Sequence, residues 1–317
     1  MSTTPVLSVV VATRNREERL AFLFDALAEQ TIGSDVFELV VVRASDMEGP
    51  YTAMPAGIDA TFLRCDPGPA AQRNLGWRAA RGELIVFTDD DCRPSPQWLA
   101  AYLDAYQGDG AKRSIMQGRT APDPDELELL HGRARSIDID AADQWFPTCN
   151  IAFPRRLLEE IGGFDESFPT AWCEDADLGL RAVAVGASLR FLPAALTYHA
   201  VHSRTLRLAL REALRRDSLP HLLARHPAQR RFLFLGLFAR RTHARFTLAL
   251  LGLLLARRSR LLGALLVVPY LANRRPLAAV PAELPKIAYH LPSRALVDAV
   301  EVWAVARAGA RRGVAVL

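Results

Sequence analysis

Three consecutive carboxylates stand at residues 89–91, within the stretch FTDDDCRPSP. Asp89, Asp90 and Asp91 directly follow an apolar run, and adjacent charges of one sign repel each other. A divalent cation would offset this repulsion, because Mg²⁺ and Mn²⁺ prefer carboxylate oxygen ligands. We therefore expect a metal site at these aspartates.

Two further groups of polar residues could contribute to chemistry. Glu174, Asp175 and Asp177 fall at the start of a predicted helix, EDADLGLRAVAVG, where the helix dipole favours acidic side chains. His199 and His202 follow a predicted strand near residues 188–202. A histidine near a strand end is usually a structural residue. Whether His199 or His202 has a functional role therefore depends on which residues lie beside it.

The elements that would position these groups alternate along the first two hundred residues. Continuous apolar runs predict buried strands, and apolar residues at helical spacing predict the helices between them. The predicted strands cover 6–12, 37–42, 61–64 and 83–88, and the predicted helices cover 16–31, 69–81 and 97–106. This order indicates an α/β fold with a mostly parallel sheet covered by helices on both faces.

Ligands of such sheets bind beyond the carboxyl ends of the strands. The three aspartates lie at that edge, together with Arg43 and the segment TRNR that begins at Thr13. No G-x-G-x-x-G or P-loop motif follows a strand, which argues against a dinucleotide or P-loop site. Arg93 stands where a haloacid-dehalogenase phosphatase would need threonine, which argues against that class.

Composition adds a second region to this picture. The net charge of +4 divides into −12 for residues 1–200 and +16 for residues 201–317. The second region combines an Arg-rich amphipathic helix near 206–216 with apolar stretches at 246–256 and 261–272, both too short to cross a bilayer. We expect Pro276, Pro281, Pro285 and Pro292 to interrupt a looser stretch before a last helix near 293–311.

Four segments together resemble a family 2 glycosyltransferase with the GT-A fold, over roughly residues 5–202. They are ATRNR, RNLGWRAARGELIVFTDDDC, TCNIAFPRRLLEEIGGFDESF and WCEDADLGLRAVAVG. The resemblance implies a nucleotide-sugar donor, a divalent cation (Mg²⁺ or Mn²⁺) and an inverting displacement. With the charge distribution, the resemblance divides the chain into a Rossmann-like catalytic domain at 1–202 and a basic helical C-terminal extension at 203–317.

The resemblance also implies roles for individual residues. Asp89 and Asp91 correspond to the metal-binding D-x-D pair, with Asp90 undecided, and His199 is a further ligand, with His202 as the alternative. Asp175 is the expected base, with Glu174 and Asp177 as rivals. The implied donor-binding residues are Thr13, Arg14, Arg16, Arg43, Arg73, Asn74, Asp89 and Asp90, and the implied substrate-binding residues are Asn150, Gly163, Trp172 and Glu174.

One segment departs from the family pattern. The acidic residue that usually follows the second strand and reads the nucleotide base is replaced here by Arg43, and Asp46 comes a few residues late. A UDP-sugar remains the expected donor, with GDP- and TDP-sugars as alternatives. The Q-x-x-R-W element of processive synthases is absent after residue 175, which favours transfer of single sugars to a glycan or lipid-linked acceptor.

The basic region leaves two interpretations open. It could lie on an anionic membrane surface, or its apolar faces could pack within a helical subdomain. Its arginines are not interleaved with stacking aromatics, so we expect no nucleic-acid partner. The N-terminus lacks a secretory signal pattern and the four cysteines form no C-x-x-C pair, which predicts a cytoplasmic protein, peripheral on the inner face of the membrane. A non-catalytic scaffold of the same fold is the alternative function.

Overall fold

The computed structural model of the chain describes residues 4–14, 16–46, 57–108, 110–130, 134–168, 172–272 and 280–317, with the backbone alone for 280–288. The chain divides into two compact units, Met1–Arg204 and Thr205–Leu317. The strands of the first unit are β1 Leu7–Thr13, β2 Phe37–Ala44, β3 Asp59–Cys65, β4 Leu84–Asp89, β5 Cys92–Pro94, β6 Ser114–Pro122, β7 Asn150–Pro154 and β8 Ser188–His199. Its α-helices are α1 Glu17–Ala28, α2 Pro69–Ala79, α3 Trp98–Gln107, α4 Arg155–Ile161 and α5 Glu174–Ala184.

Within the described residues these strands form one sheet, in the order β3-β2-β1-β4-β7-β6-β8-β5. The four strands β3, β2, β1 and β4 are parallel, as predicted, while β7 pairs antiparallel with β4 and with β6. The sheet is therefore mixed, with a parallel half that carries the predicted ligand-binding edge.

Alternate residues of the central strands supply two apolar layers. Val9 and Val11 of β1 pack with α1 on one face, while Val10 packs with Trp77 of α2 on the other. Successive side chains of a strand point to opposite faces, so a strand covered on both sides must be apolar throughout. This explains why β1, β2 and β4 appear in the sequence as solid apolar runs.

Strand register brings the predicted polar residues to one edge. Thr13 at the end of β1 lies beside Arg43 of β2, and Ala12 lies beside Asp89 of β4. After the aspartates the chain turns into β5, which pairs antiparallel with the end of β8 so that Cys92 lies opposite His199. This short pairing places His199 next to the carboxylates.

The second unit is helical, as predicted. Its α-helices are α6 Leu206–Leu214, α7 Ser218–Arg225, α8 Arg241–Leu255, α9 Arg260–Ala272 and α10 Val280–Arg311. The hydroxyl of Thr205 accepts a hydrogen bond from the Leu208 amide at 3.2 Å and so caps α6. None of the helices in the described ranges combines the length and apolarity needed to span a bilayer.

The prediction of a looser stretch through Pro281, Pro285 and Pro292 was wrong, and Pro276 lies outside the described residues. Helix α10 runs through the other three prolines. Pro281 falls in the first turn, where its missing N–H would have no helical partner in any case. Pro285 and Pro292 lie farther along α10, where each removes one backbone hydrogen bond of the helix. Packing of α10 against α6, α7, α8 and α9 offsets this loss.

A buried polar group lies at the centre of this helical unit. Glu301 of α10 accepts hydrogen bonds from Arg216 at 3.0 Å and from Arg240 at 3.2 Å, and His243 Nε2 lies 3.0 Å from the same carboxylate. Asp298 accepts a 2.8 Å hydrogen bond from the Tyr270 hydroxyl. Both oxygens of Glu301 are occupied by cationic or histidine partners, so this group is an ion-pair network.

Candidate functional site

The three aspartates lie at the carboxyl edge of the sheet in unequal environments. Asp90 and Asp91 are buried, whereas Asp89 is partly exposed. The Thr13 hydroxyl donates to Asp90 at 2.7 Å, and Arg16 donates to Asp90 at 3.0 Å and also contacts Asp91. Burial, opposed by Arg16, raises the pKa of Asp90 to about 6.

Both predicted histidines contact Asp91. Nε2 of His202 lies 2.7 Å from Asp91 Oδ2, and Nε2 of His199 lies 3.6 Å from Asp91 Oδ1. Burial alone would raise the pKa of Asp91, but the hydrogen bond with His202 and the neighbouring His199 and Arg16 hold it well below its usual range. The pKa values of the adjacent Asp90 and Asp91 are therefore shifted in opposite directions, and Asp91 is held in its ionised form.

The orientation of His199 suits a metal ligand. Its Nδ1 lies 2.9 Å from the carbonyl oxygen of Ala200, an acceptor that places the ring proton on Nδ1. The Nε2 lone pair then points toward Asp91. Metal-binding histidines commonly use one ring nitrogen for the metal and donate the other N–H to a carbonyl or carboxylate.

The residues fit a divalent cation. One potential ligand atom from each of Asp89, Asp91 and His199 lies within 4.8 Å of the others. Oδ1 of Asp91 is buried and accepts no hydrogen bond from the part of the chain that the structure describes. Burying a carboxylate oxygen without a hydrogen-bond donor destabilises the fold, unless a bound ligand such as a cation interacts with that oxygen.

Arg73 joins this group to the second acidic cluster. Its guanidinium is buried and donates to Asp89 and to Glu174, both at 3.0 Å. Oε2 of Glu174 is also buried, and no described residue donates a hydrogen bond to it. Asp89 and Glu174, which lie 85 residues apart in the sequence, therefore share one arginine.

A backbone turn sets the start of α5. Cys173 has a φ of 75°, a left-handed conformation that is uncommon for residues other than glycine. Trp172, just before it, is partly buried. Such conformations cluster at functional sites, where the surrounding structure holds them in place.

Asp175 has the properties of a proton acceptor. Its side chain is partly buried, and Oδ1 accepts a 2.9 Å hydrogen bond from the Ala176 amide. Burial and the neighbouring Glu174 carboxylate raise the pKa of Asp175 well above its usual value, against the opposing charge of Arg73. Of its rivals, Glu174 is paired with Arg73, and Asp177 is buried and bound to Arg181 at 2.7 Å.

The amides of Asn74 and Asn150 are used inside the protein. Asn150 accepts from Trp98 and Tyr102, both at 2.7 Å, and donates to two carbonyl oxygens. Asn74 also makes four hydrogen bonds, to the Phe164 N–H and carbonyl oxygen, Glu166 and Trp77. Neither side chain has an atom left for a ligand, so both geometries are at odds with the binding roles implied by the family pattern.

Gly163 likewise has a structural reason to be glycine. It adopts a φ of +75°, and a Cβ atom there would lie 2.5 Å from Asn74 Oδ1 and 2.7 Å from Trp77 Nε1. Close packing against α2 therefore accounts for this glycine without a sugar contact.

The segment after β2, which departs from the family pattern at Arg43, is held by ion pairs. Arg43 is buried and forms an ion pair with Glu17, while Arg14 forms an exposed pair with Asp46. Gln72, which sequence reasoning missed, donates to the carbonyl oxygens of Thr13 and Val42 and so ties the ends of β1 and β2 together. The only sequence signal for Gln72 is its position beside Arg73 on α2.

Comparison with known proteins agrees with this architecture. Residues 8–162 match the model of the family described as glycosyl transferase family 2. The chain is 27% identical over 237 residues to a pre-mycofactocin glycosyltransferase of Mycobacterium tuberculosis, covering 70% of this chain and 48% of that protein. It is 26% identical over 243 residues to a validoxylamine A glucosyltransferase of Streptomyces hygroscopicus, covering 64% and 53%. The chain thus spans about half the length of these relatives.

A solved structure resembles the chain over a larger share. A mannosyltransferase from Pyrobaculum calidifontis, solved in complex with GDP-Man and Mn²⁺, superimposes with a TM-score of 0.58 at 19% identity, covering 95% of this chain and 86% of that one. At this identity the likeness establishes the fold. The family match over residues 8–162, the sheet topology and the structural likeness together identify the first unit as a glycosyl transferase family 2 domain with the GT-A fold.

Proposed function

We propose that the protein is an inverting, metal-dependent glycosyltransferase that moves a single sugar from a nucleotide-sugar donor to an acceptor hydroxyl. The observation that carries this proposal is the Arg73 bridge between Asp89 and Glu174, which brings the aspartates next to the start of α5, where the adjacent Asp175 has a raised pKa. The match of residues 8–162 to the family supports the same reaction class.

Asp89, Asp91 and His199 would hold Mg²⁺ or Mn²⁺ beside the donor diphosphate. When bound, such a cation neutralises the negative charge that grows on the leaving diphosphate. Arg16 lies next to these ligands and is partly exposed, so its guanidinium can also reach a phosphate oxygen. Thr13 and Asp90 support this edge from within, because their side chains bond to each other.

Asp175 is the proposed base. It takes the proton of the acceptor hydroxyl while that oxygen forms a bond to the anomeric carbon, and the bond from this carbon to the diphosphate breaks on the opposite face. Configuration inverts, and the proton ends on the Asp175 carboxylate. A carboxyl group with a raised pKa suits this task, because a stronger base accepts the proton more readily.

The donor and acceptor are proposed at the level of chemical class. A UDP-sugar is the expected donor, with GDP- and TDP-sugars as alternatives, because Arg43 stands where the base-reading acid usually lies. The expected acceptor is a glycan or a lipid-linked saccharide. We also propose a cytoplasmic location with the second unit on an anionic membrane surface, since residues 218–282 hold eleven arginines and no acidic residue.

Donor hydrolysis, in which water replaces the acceptor, tests the proposal without knowledge of the acceptor. Each nucleotide sugar is incubated with the protein with and without Mn²⁺, and release of the nucleoside diphosphate is measured. We expect a Mn²⁺-dependent rate that falls at least about a hundredfold in Asp175→Asn, the usual contribution of a general base.

Glu174→Gln and Asp104→Asn serve as comparisons for that variant. Asp104 is an exposed aspartate of α3, and its substitution should leave the rate unchanged. A rate that survives Asp175→Asn but is lost in Glu174→Gln would move the base to Glu174. Absence of turnover with every donor, despite nucleotide binding, would instead favour the non-catalytic scaffold.

A further inference from the structure

The helical hairpin formed by α8 and α9 carries an apolar face that the described part of the chain leaves exposed. Leu254 is 74% exposed, Leu261 73%, and Leu253 and Leu265 63% each. Leucines of soluble proteins are mostly buried and scattered exceptions need no explanation, but several exposed leucines on two paired helices indicate an interaction surface.

Glycines allow the two helices of the hairpin to pack closely. A Cβ atom on Gly252 would lie 2.8 Å from Leu266 Cβ and 2.9 Å from the Gly263 carbonyl oxygen, and one on Gly263 would lie 2.7 Å from Ala256 Cβ. Small residues at a helix crossing allow the backbones to approach closely. The helices thus meet at this crossing, while Leu254, Leu261 and Leu265 keep most of their surface exposed.

Charge indicates what covers this face. Arg257, Arg258 and Arg260 are exposed and lie between the two helices, and no acidic residue occurs from 218 to 282. A second protein surface of ordinary composition would not select for such a one-sided charge. Anionic phospholipid headgroups above an acyl layer complement both features, because arginine binds phosphate and leucine enters the acyl boundary.

Helix length excludes a transmembrane arrangement for this hairpin. Helix α8 has 15 residues and α9 has 13, whereas a helix needs roughly 20 to cross the hydrocarbon layer. Insertion with the turn first would also carry three arginines into hydrocarbon, which is costly. A hairpin lying in the plane of the interface avoids both problems.

We infer that the α8–α9 hairpin is the element that docks the protein on anionic bilayers, with the leucine face in the acyl boundary and the three arginines on headgroup phosphates. This inference rests on the proposed membrane role of the second unit and is independent of the proposed transfer reaction. It assigns that role to named residues on one face.

The test measures co-sedimentation of the full chain with vesicles of phosphatidylcholine alone or with added phosphatidylglycerol. The leucine variant is Leu254→Gln/Leu261→Gln/Leu265→Gln, and its control is Leu127→Gln/Leu130→Gln, which alters exposed leucines of the first unit. We expect the leucine variant to lose at least about tenfold in binding to anionic vesicles, because three side chains no longer enter the acyl boundary. The control should bind as the unaltered protein does.

A charge variant, Arg257→Gln/Arg258→Gln/Arg260→Gln, tests the headgroup contacts separately. Binding to anionic vesicles should fall by roughly fivefold per arginine and become less sensitive to salt. Circular dichroism and donor hydrolysis without vesicles show that each variant is folded and that transfer chemistry is unaffected.

Three outcomes would overturn the inference. Equal binding by the leucine variant and the unaltered protein would place the membrane contact elsewhere in the second unit. No binding of the unaltered protein to any anionic vesicle would remove the membrane role as well, while leaving hydrolysis untouched. A dimer in sedimentation velocity that the leucine variant converts to monomer, with vesicle binding unchanged, would make the face a subunit interface.

Discussion

Arg16 supplies the positive charge closest to the buried aspartates in the structure. It contacts both Asp90 and Asp91, and Asp91 is one of the proposed metal ligands. Its side chain is 44% exposed, so it can leave these partners without opening the core. Arg16 and the proposed cation would thus compete for the same Asp91 carboxylate.

We predict that Arg16→Ala binds Mn²⁺ about tenfold more tightly than the unaltered protein in the absence of a donor. The variant no longer has to break a charged hydrogen bond, worth roughly 1.5–3 kcal/mol, before the metal binds. Isothermal titration calorimetry with Mn²⁺ alone measures the difference.

Arg14→Ala is the matched control, because Arg14 pairs with Asp46 and its side chain does not reach Asp91. Its Mn²⁺ affinity should stay unchanged. Weaker Mn²⁺ binding by Arg16→Ala would mean that Arg16 orients Asp91 for the metal and does not compete with it.

Sequence patterns predicted the position of single residues in the sheet better than their packing. The motif DDD lies at the carboxyl edge of the sheet, as predicted, because strand ends and carboxylates are visible locally, and the histidines near residue 200 lie beside it. Asn150 was interpreted as a substrate contact, but its partners include Trp98 and Tyr102, about fifty residues away. A hydrogen-bond network closed by such distant residues leaves no local signal.

Elements of the parallel half of the sheet were predictable, whereas in the other half only β8 was predicted, near residues 188–202. β1, β2 and β4 are buried on both faces and so have apolar runs, but β5 has only three residues and no pattern of its own. Yet the pairing of β5 with β8 is what brings His199 to Asp91. The continuity of α10 through its prolines depends in the same way on helices that pack against it.

At the same scale, the Glu301 network ties α10 to α8 and to the end of α6. Burial opposes ionisation of Glu301, but His243, Arg240 and Arg216 together lower its pKa to about 2. Burial, together with the neighbouring Glu301 carboxylate, raises the pKa of Asp298. A carboxyl group with a depressed pKa stabilises the folded state above its unfolded pKa and loses that contribution as pH falls through the folded value.

We predict that acid weakens the fold between about pH 4.5, the ordinary value for glutamate, and about pH 2, with Glu301 contributing about 3 kcal/mol at neutral pH. Glu301→Gln should destabilise the protein at pH 7, because two arginines and a histidine lose their buried counter-charge, and should flatten this part of the pH profile. Urea unfolding at a series of pH values measures both effects.

Glu29→Gln, an exposed glutamate at the end of α1, should leave the stability and its pH dependence unchanged. If Glu301→Gln matched the unaltered protein at pH 7, the network would contribute no net stability. If the pH profile kept its slope in that variant, other carboxylates would account for the acid sensitivity.

On the scale of the whole molecule, charge is distributed unevenly along the chain. Residues 1–200 carry a balance of −12 and residues 201–317 a balance of +16. An acidic unit repels anionic ligands unless cations offset its charge, so binding of a nucleoside diphosphate should depend on metal. The basic part needs no such ion to attract an anionic surface.

Thermal unfolding of the whole chain should report this metal dependence directly. We predict that UDP with Mn²⁺ raises the melting temperature by several degrees, whereas UDP alone raises it little. A ligand at a hundred times its dissociation constant stabilises the folded state by roughly 2.7 kcal/mol, and each kcal/mol is worth roughly 2–4 °C in proteins of somewhat smaller size. GDP, TDP, CDP and ADP are measured in parallel.

Asp91→Asn separates the site from non-specific effects, because it keeps the size of the side chain but removes the ionised carboxylate that lies against His199 and His202. The Mn²⁺-dependent shift should disappear in this variant, while Asp104→Asn should keep it. A larger shift with GDP or TDP would mean that the edge containing Arg43 and Asp46 reads a base other than uracil. An equal shift in Asp91→Asn would place the nucleotide away from the aspartates, and the proposed donor site would then be wrong even if the fold is that of the family.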